Sequence, residues 1–112
     1  MKHTEHNDVC DWTAVTSDKP NPDSFVGFAI ESLGKGTLHG LRHPSNENSN
    51  GWYIWFGEYS ENEDFFSPVS VKDIGNYLDS KVMEYLDLPA GYRFTVEKNK
   101  FEDVWFDEGL LI

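Results

Sequence analysis

The chain has 112 residues and a formal net charge of −11, from twenty acids against nine Lys and Arg. That length suits one domain, which typically runs to about 100–150 residues. The charge argues against DNA, RNA or an anionic membrane as a partner, because each requires cations to meet phosphates, whereas a basic protein would be steered toward this surface.

Aromatic residues make up 15% of the sequence, more than a disordered chain carries, so there is material for an independent core. Cys10 is the single cysteine, which rules out an intrachain disulfide. Small secreted domains usually carry a disulfide framework, so a reducing cytoplasm is the expected location. No apolar run approaches the roughly 20 residues of a membrane span. The opening "MKHTEHNDVCDW" lacks the apolar segment of a secretory signal. The expectation is a single domain over 1–112, with 1–8 a flexible polar tail.

In chain order, residues 10–17 alternate Cys10, Trp12 and Ala14 with polar neighbours and read as a weak strand. "SDKPNPD" is a loop. Residues 24–33 favour a strand through their β-branched and aromatic members. "TLHGLRH" reads as another strand with Leu38 and Leu41 as its apolar members, and "PSNENSNG" is built of turn formers. The stretch 51–66, "GWYIWFGEYSENEDFF", carries seven aromatic rings and four acids around Asn62. Its first part alternates as a strand: Trp52, Ile54 and Phe56 fall on one face, Tyr53 and Trp55 on the other. A strand apolar on both faces belongs at the centre of a sheet or between two layers. "FFSPVSV" resumes the extended pattern after the acids.

From 70 to 88 the period changes to that of a helix. Val71, Ile74, Tyr77 and Leu78 are spaced by three and four, and Asp79 can cap a second short helix packed through Val82, Met83, Tyr85 and Leu86. Pro89 and Gly91 stop it. "YRFTVEK" and "FEDVWFDE" alternate as the two strands of a hairpin turned through "EKNK". The predicted class is α+β: a mainly antiparallel β-sheet with a short helical segment at about 70–88, inserted before a C-terminal hairpin.

Few constellations suggest chemistry. His3 and His6 lie beside Glu5 and Asp8 with no helix to align them, and Cys10 completes no zinc set, so a solvated tail is the preferred reading. His39 and His43, four apart on a strand, are expected to be separated rather than to share a face. Nothing matches HExxH, GxSxG or a full P-loop, and "ENED" lacks the glycine of a calcium loop. An enzyme would have to draw a carboxylate pair from Glu58, Glu61, Asp64, Asp107 and Glu108, and neither acidic run is embedded in apolar sequence that would separate two pKa values. No catalytic residue, metal ligand or cofactor site is assigned. Core packing explains most rings, but not acids set beside rings in "FGEYSENEDFF" and "VWFDE", a combination suited to a basic partner.

The segments "GWYIWFGEYSENEDFF", "VKDIGNYLDSKVMEYLDLPAGYRF" and "FEDVWFDE" together resemble the immunity protein 33-like family of bacterial polymorphic toxin systems. That family shows a G-W-x-x-x-x-G-[DE] block, an acid-rich stretch with paired aromatics, a short helical segment, an "LPxGxRF" strand start and an "EDVW-[FY]-DE" end, here in the same order. The N-terminal half is similar more loosely, through "AVTSDKP" and the Arg–Pro loop before the tryptophan block. The resemblance implies a cytoplasmic inhibitor without catalytic residues, which binds a cognate, basic toxin domain. Trp52, Gly57, Glu58, Trp105, Asp107 and Glu108 are the matching motif residues. Combined with the placement of acids beside rings, this makes Glu58, Tyr59, Glu61, Glu63, Asp64, Phe66, Asp107 and Glu108 the expected partner-binding residues.

Because no metal set is expected, a strong chelator should leave the thermal unfolding midpoint unchanged. A shift of several degrees in a calorimetric scan would restore His3, His6 and the acidic loop as ligands.

Overall fold

The computed structural model describes residues 18–47, 49–78, 80–97 and 101–111. They build one sheet of six strands in the order β4-β1-β3-β2-β5-β6. The strands are β1 (Phe25–Phe28), β2 (Leu38–Arg42), β3 (Trp52–Phe56), β4 (Ser67–Ser70), β5 (Tyr92–Glu97) and β6 (Phe101–Phe106). Every pair is antiparallel except β1 with β3. Two one-turn helices, α1 (Val71–Ile74) and α2 (Ser80–Met83), and a 3-10 turn (Glu84–Asp87) lie between β4 and β5. The α+β class with a mainly antiparallel sheet and a helical insertion before the last hairpin is therefore the observed one. No helix among the described residues is long and apolar enough to cross a membrane.

The two-residue period of each strand sorts side chains between two faces. Val26, Phe28, Leu38, Trp52, Ile54 and Phe94 are buried on one of them. Ile74, Leu78, Tyr85, Leu86 and Leu88 from the helical segment complete this core. Its tightest point is Gly40, which pairs with Ile54 on one side and Phe94 on the other. A Cβ there would lie 2.3 Å from the Phe94 ring. The missing side chain lets that ring settle over the strand, stacked on Tyr85 at 4.8 Å and edge-on to Trp52 at 5.5 Å.

β3 is flanked by β1 and β2, as an all-apolar strand requires. Trp52 and Ile54 are fully buried, and Phe56 is half-buried against the same core. The indole Nε1–H of Trp52 donates to the Leu86 carbonyl at 3.0 Å, which ties the helical segment to the sheet.

Two elements are shorter than the periodicity predicts. The strand expected over 24–33 stops at Phe28 and is followed by a 3-10 turn, Ile30–Ser32. There the Ser32 hydroxyl donates to Ala29 O and accepts from the Phe56 N–H, so a side chain takes over the role of strand pairing. The helix begun at Val71 stops at Ile74 because Gly75 and Asn76 are weak helix formers, and Tyr77 ends up 41% exposed instead of on a continuous apolar face. The strand expected at 10–17, the cap at Asp79 and most of the turn "EKNK" lie outside the described residues.

Trp52→Ala should destabilise the fold by about 3–5 kcal/mol, as truncations of large core side chains do. Urea melts measure it; a loss below about 1 kcal/mol would mean that this strand is peripheral.

Candidate functional site

Among the described residues no α-helix covers the opposite sheet face, where alternation places His39, Leu41, Tyr53, Trp55, Arg93 and Trp105. Trp55 is nevertheless only 5% exposed. Its cover is the segment 57–66, which joins β3 to β4 and brings its own rings. Tyr59 meets Trp55 at 5.3 Å, Phe66 meets Tyr53 at 5.1 Å, and Phe65 meets Phe66 at 4.8 Å, each edge-on. His39 stacks flat on Trp55 at 5.2 Å. Beneath Tyr53, a Cβ on Gly27 would fall 2.7 Å from the tyrosine ring, so the phenol lies across bare backbone.

Local chemistry shapes this segment. Gly57 opens it at φ +73°, beside the Lys35 carbonyl, so the motif glycine serves backbone geometry. Asn62 forms its tip: Oδ1 accepts from the Asp64 N–H at 2.9 Å, and its carbonyl accepts from Phe65 N–H at 3.0 Å. Glu58, Glu61, Glu63 and Asp64 are exposed. Tyr59 is 57% exposed, while Phe66 is half-buried beneath it.

Asp107 and Glu108 sit elsewhere. Phe56, Leu38, Val96 and Glu102 form one row across the sheet, and Leu41, Arg93 and Trp105 form another nearer the other end. The 57–66 segment leaves from the first end, and Asp107 follows β6 at the second. The two acidic runs expected to act together thus depart from opposite ends of the strands. Asp107 is also engaged internally: its carboxylate accepts from Arg93 Nη1 at 3.2 Å and from the Gly109 N–H at 3.0 Å. Arg93 in turn stacks over Trp105, its guanidinium 5.6 Å from the ring. Glu108 is exposed.

His39 and His43 correct an expectation. Positions four apart in an extended chain share a face because the period is two, and both rings lie on the second face, His39 on Trp55 and His43 edge-on to Tyr53 at 5.7 Å. Four strand residues nonetheless span about 13 Å, too far for one ion. Among the described residues, no group of three or more His, Cys, Asp or Glu is placed to hold a metal.

A surface depression of about 710 Å³ borders this face, lined in part by Glu31, Lys35, His39 and Glu58. Of the acids considered for a catalytic pair, Glu58 alone lines it. Burial, and secondarily the positive charge of Arg93, lowers the His39 pKa from its ordinary 6.5. Below that ordinary value the unfolded chain takes up a proton that the folded imidazole resists, so His39 lowers stability as pH falls through this window. Replacing it by His39→Gln should therefore flatten the decline in urea midpoint between about pH 7 and about pH 5. An unchanged slope would mean that His39 titrates alike in both states.

Sequence reasoning missed Arg42, which is 5% exposed, and the pairing of Arg93 with Asp107. A charged residue on a strand reads locally as solvent-facing, and only the place of Arg42 next to Gly40 and Leu41 on a central strand hinted otherwise. No curated protein and no solved structure matches the chain. The family model described as the Imm33-like domain matches residues 5–107. The chain belongs to the Imm33-like family.

Proposed function

We propose that this protein is an immunity protein that binds and neutralises a cognate, basic toxin domain in the cytoplasm, and that it does so without catalysis of its own. The contact is made by the 57–66 segment. One observation carries the reading: this segment is pinned to the sheet by rings and holds Glu58, Glu61, Glu63 and Asp64 in solvent on the same stretch as an exposed Tyr59. An aromatic side chain of low conformational freedom amid acids is suited to anchoring a cationic surface. Tyr59 is the anchor and Phe66 its support. Asp107 and Glu108 extend the contact for a partner that reaches along the sheet. Membership in a family of immunity proteins supports the role, and the net charge of −11 supports the sign of the partner.

Clustered charge acts mainly on association rate and is screened by salt. The double reversal Glu61→Lys with Asp64→Lys should slow association with the toxin domain encoded by the neighbouring gene about tenfold or more at low salt. Folding should be intact, since solvated loop changes typically cost under about 0.5 kcal/mol. Stopped-flow association across a salt series measures this. Rates independent of salt, or unaffected by the reversal, would move the interface elsewhere, to the region 39–50 first.

A further inference from the structure

Between the 57–66 segment and the sheet lies a cavity of about 300 Å³ lined by Leu41, His43, Tyr53, Tyr59 and Phe66. Leu41 and Tyr53 are register partners on β2 and β3, so they form a continuous floor. The other rings stand steeply around it. Phe66 meets Tyr53 at an interplanar angle of 71°, and His43 meets Tyr53 at 80°. Tyr59, 6.0 Å from Phe66, is the exposed wall. The imidazole of His43 is itself held, its Nδ1 3.1 Å from the Leu110 carbonyl oxygen.

We infer that this aromatic box is a receptor for one arginine side chain of the partner. The inference rests on the reading of the 57–66 segment as the partner face and names the group that the face captures. The face of an aromatic ring attracts a cation, and a guanidinium stacks on such a ring better than a compact ammonium does. Leu41 gives the methylene stem an apolar floor. Charge complementarity selects the occupant: the segment that supplies Tyr59 and Phe66 also carries Glu58, Glu61, Glu63 and Asp64 in solvent, and the whole chain is acidic. A neutral apolar side chain would use the floor but gain nothing from the carboxylates, and an anionic one would be repelled by them.

The test needs no toxin. Propylguanidinium chloride is titrated into the intact protein and followed through the aromatic NMR resonances of Tyr53, Tyr59 and Phe66. N-propylurea, planar and of similar shape but uncharged, is the control, and sodium chloride at matched ionic strength is the blank. Saturable shifts confined to these rings are expected, with propylguanidinium binding about three- to tenfold tighter than the urea. Tyr59→Ala should abolish the response and Tyr59→Phe should keep it. Tyr59→Phe should melt like the parent; Tyr59→Ala, which removes one ring from the cover of Trp55, should melt lower, so both are titrated well below that midpoint. Equal response to the urea would make the cavity an apolar slot and overturn the inference, as would the absence of saturable shifts. Should the probe fail while the reversal of Glu61 and Asp64 still slows toxin association, the arginine box falls and the partner face stands.

Discussion

The sheet depends on a buried cation. Arg42 ends β2, and its guanidinium joins three separate parts of the chain: Nε donates to Asn50 O at 3.1 Å, and Nη1 donates to Asp18 O and Leu88 O, both at 2.7 Å. Its planar face lies 5.7 Å from the centre of the Trp52 ring. A fixed fork of donors is suited to such a junction, where a lysine would supply a point charge and no second direction. Burial lowers the Arg42 pKa, and the carboxylates of Asp18 and Asp87 oppose that shift. The junction continues through Asn50, whose Oδ1 accepts from Trp52 N–H and whose own N–H donates to Phe25 O. Arg42 and Asn50 thus secure β3 between β2 and the parallel β1. Removing the guanidinium would leave the buried Asn50 and Leu88 carbonyls without this donor, which costs more than the hydrogen bonds themselves contribute.

Once β3 is central, its composition obliges the protein to cover two faces. The helical segment covers one, with Tyr85 and Leu86 over Trp52, Ile54 and Phe94. Tyr85 also donates a hydrogen bond to Glu102 on β6, which fastens this layer to the far side of the sheet. The other face receives no α-helix among the described residues. The 57–66 segment has to shield Tyr53 and Trp55 with rings of its own, and a short loop that must reach across a sheet spends its apolar residues on the inner side. Its acids are left outside. The candidate interface is thus a consequence of packing: the residues that bury Trp55 are the ones that hold the carboxylates in solvent.

The two acidic runs show how similar sequences diverge in structure. Both place carboxylates beside aromatics. In 57–66, turned at Asn62, all four acids are exposed while Phe65 and Phe66 are half-buried. At the end of β6, Asp107 is half-buried and holds Arg93 and the start of the 3-10 turn Glu108–Leu111, so it acts as a cap and clamp. Position relative to a cation decides the difference, and that cation lies fourteen residues earlier on the neighbouring strand.

Local pattern was enough for several features. Alternation in 52–56 and 92–97 determined which residues share a face, the three-and-four spacing after residue 70 located the helical segment, and the run of rings and acids at 51–66 marked the candidate interface. The ordered motifs carry the resemblance to the Imm33-like family, which the family model over residues 5–107 shows. Strand order, the parallel pairing of β1 with β3 and the separation of the two acidic runs came only with the tertiary structure, as did the burial of Arg42; the shared face of His39 and His43 follows from the two-residue period alone. The physical reason is one of range. Periodicity is a property of neighbours in the chain, so it reports which side a residue faces. Hydrogen-bonded register and the desolvation of a charge depend on groups tens of residues away, such as Asp18 and Leu88 around Arg42, and no local pattern encodes their arrival.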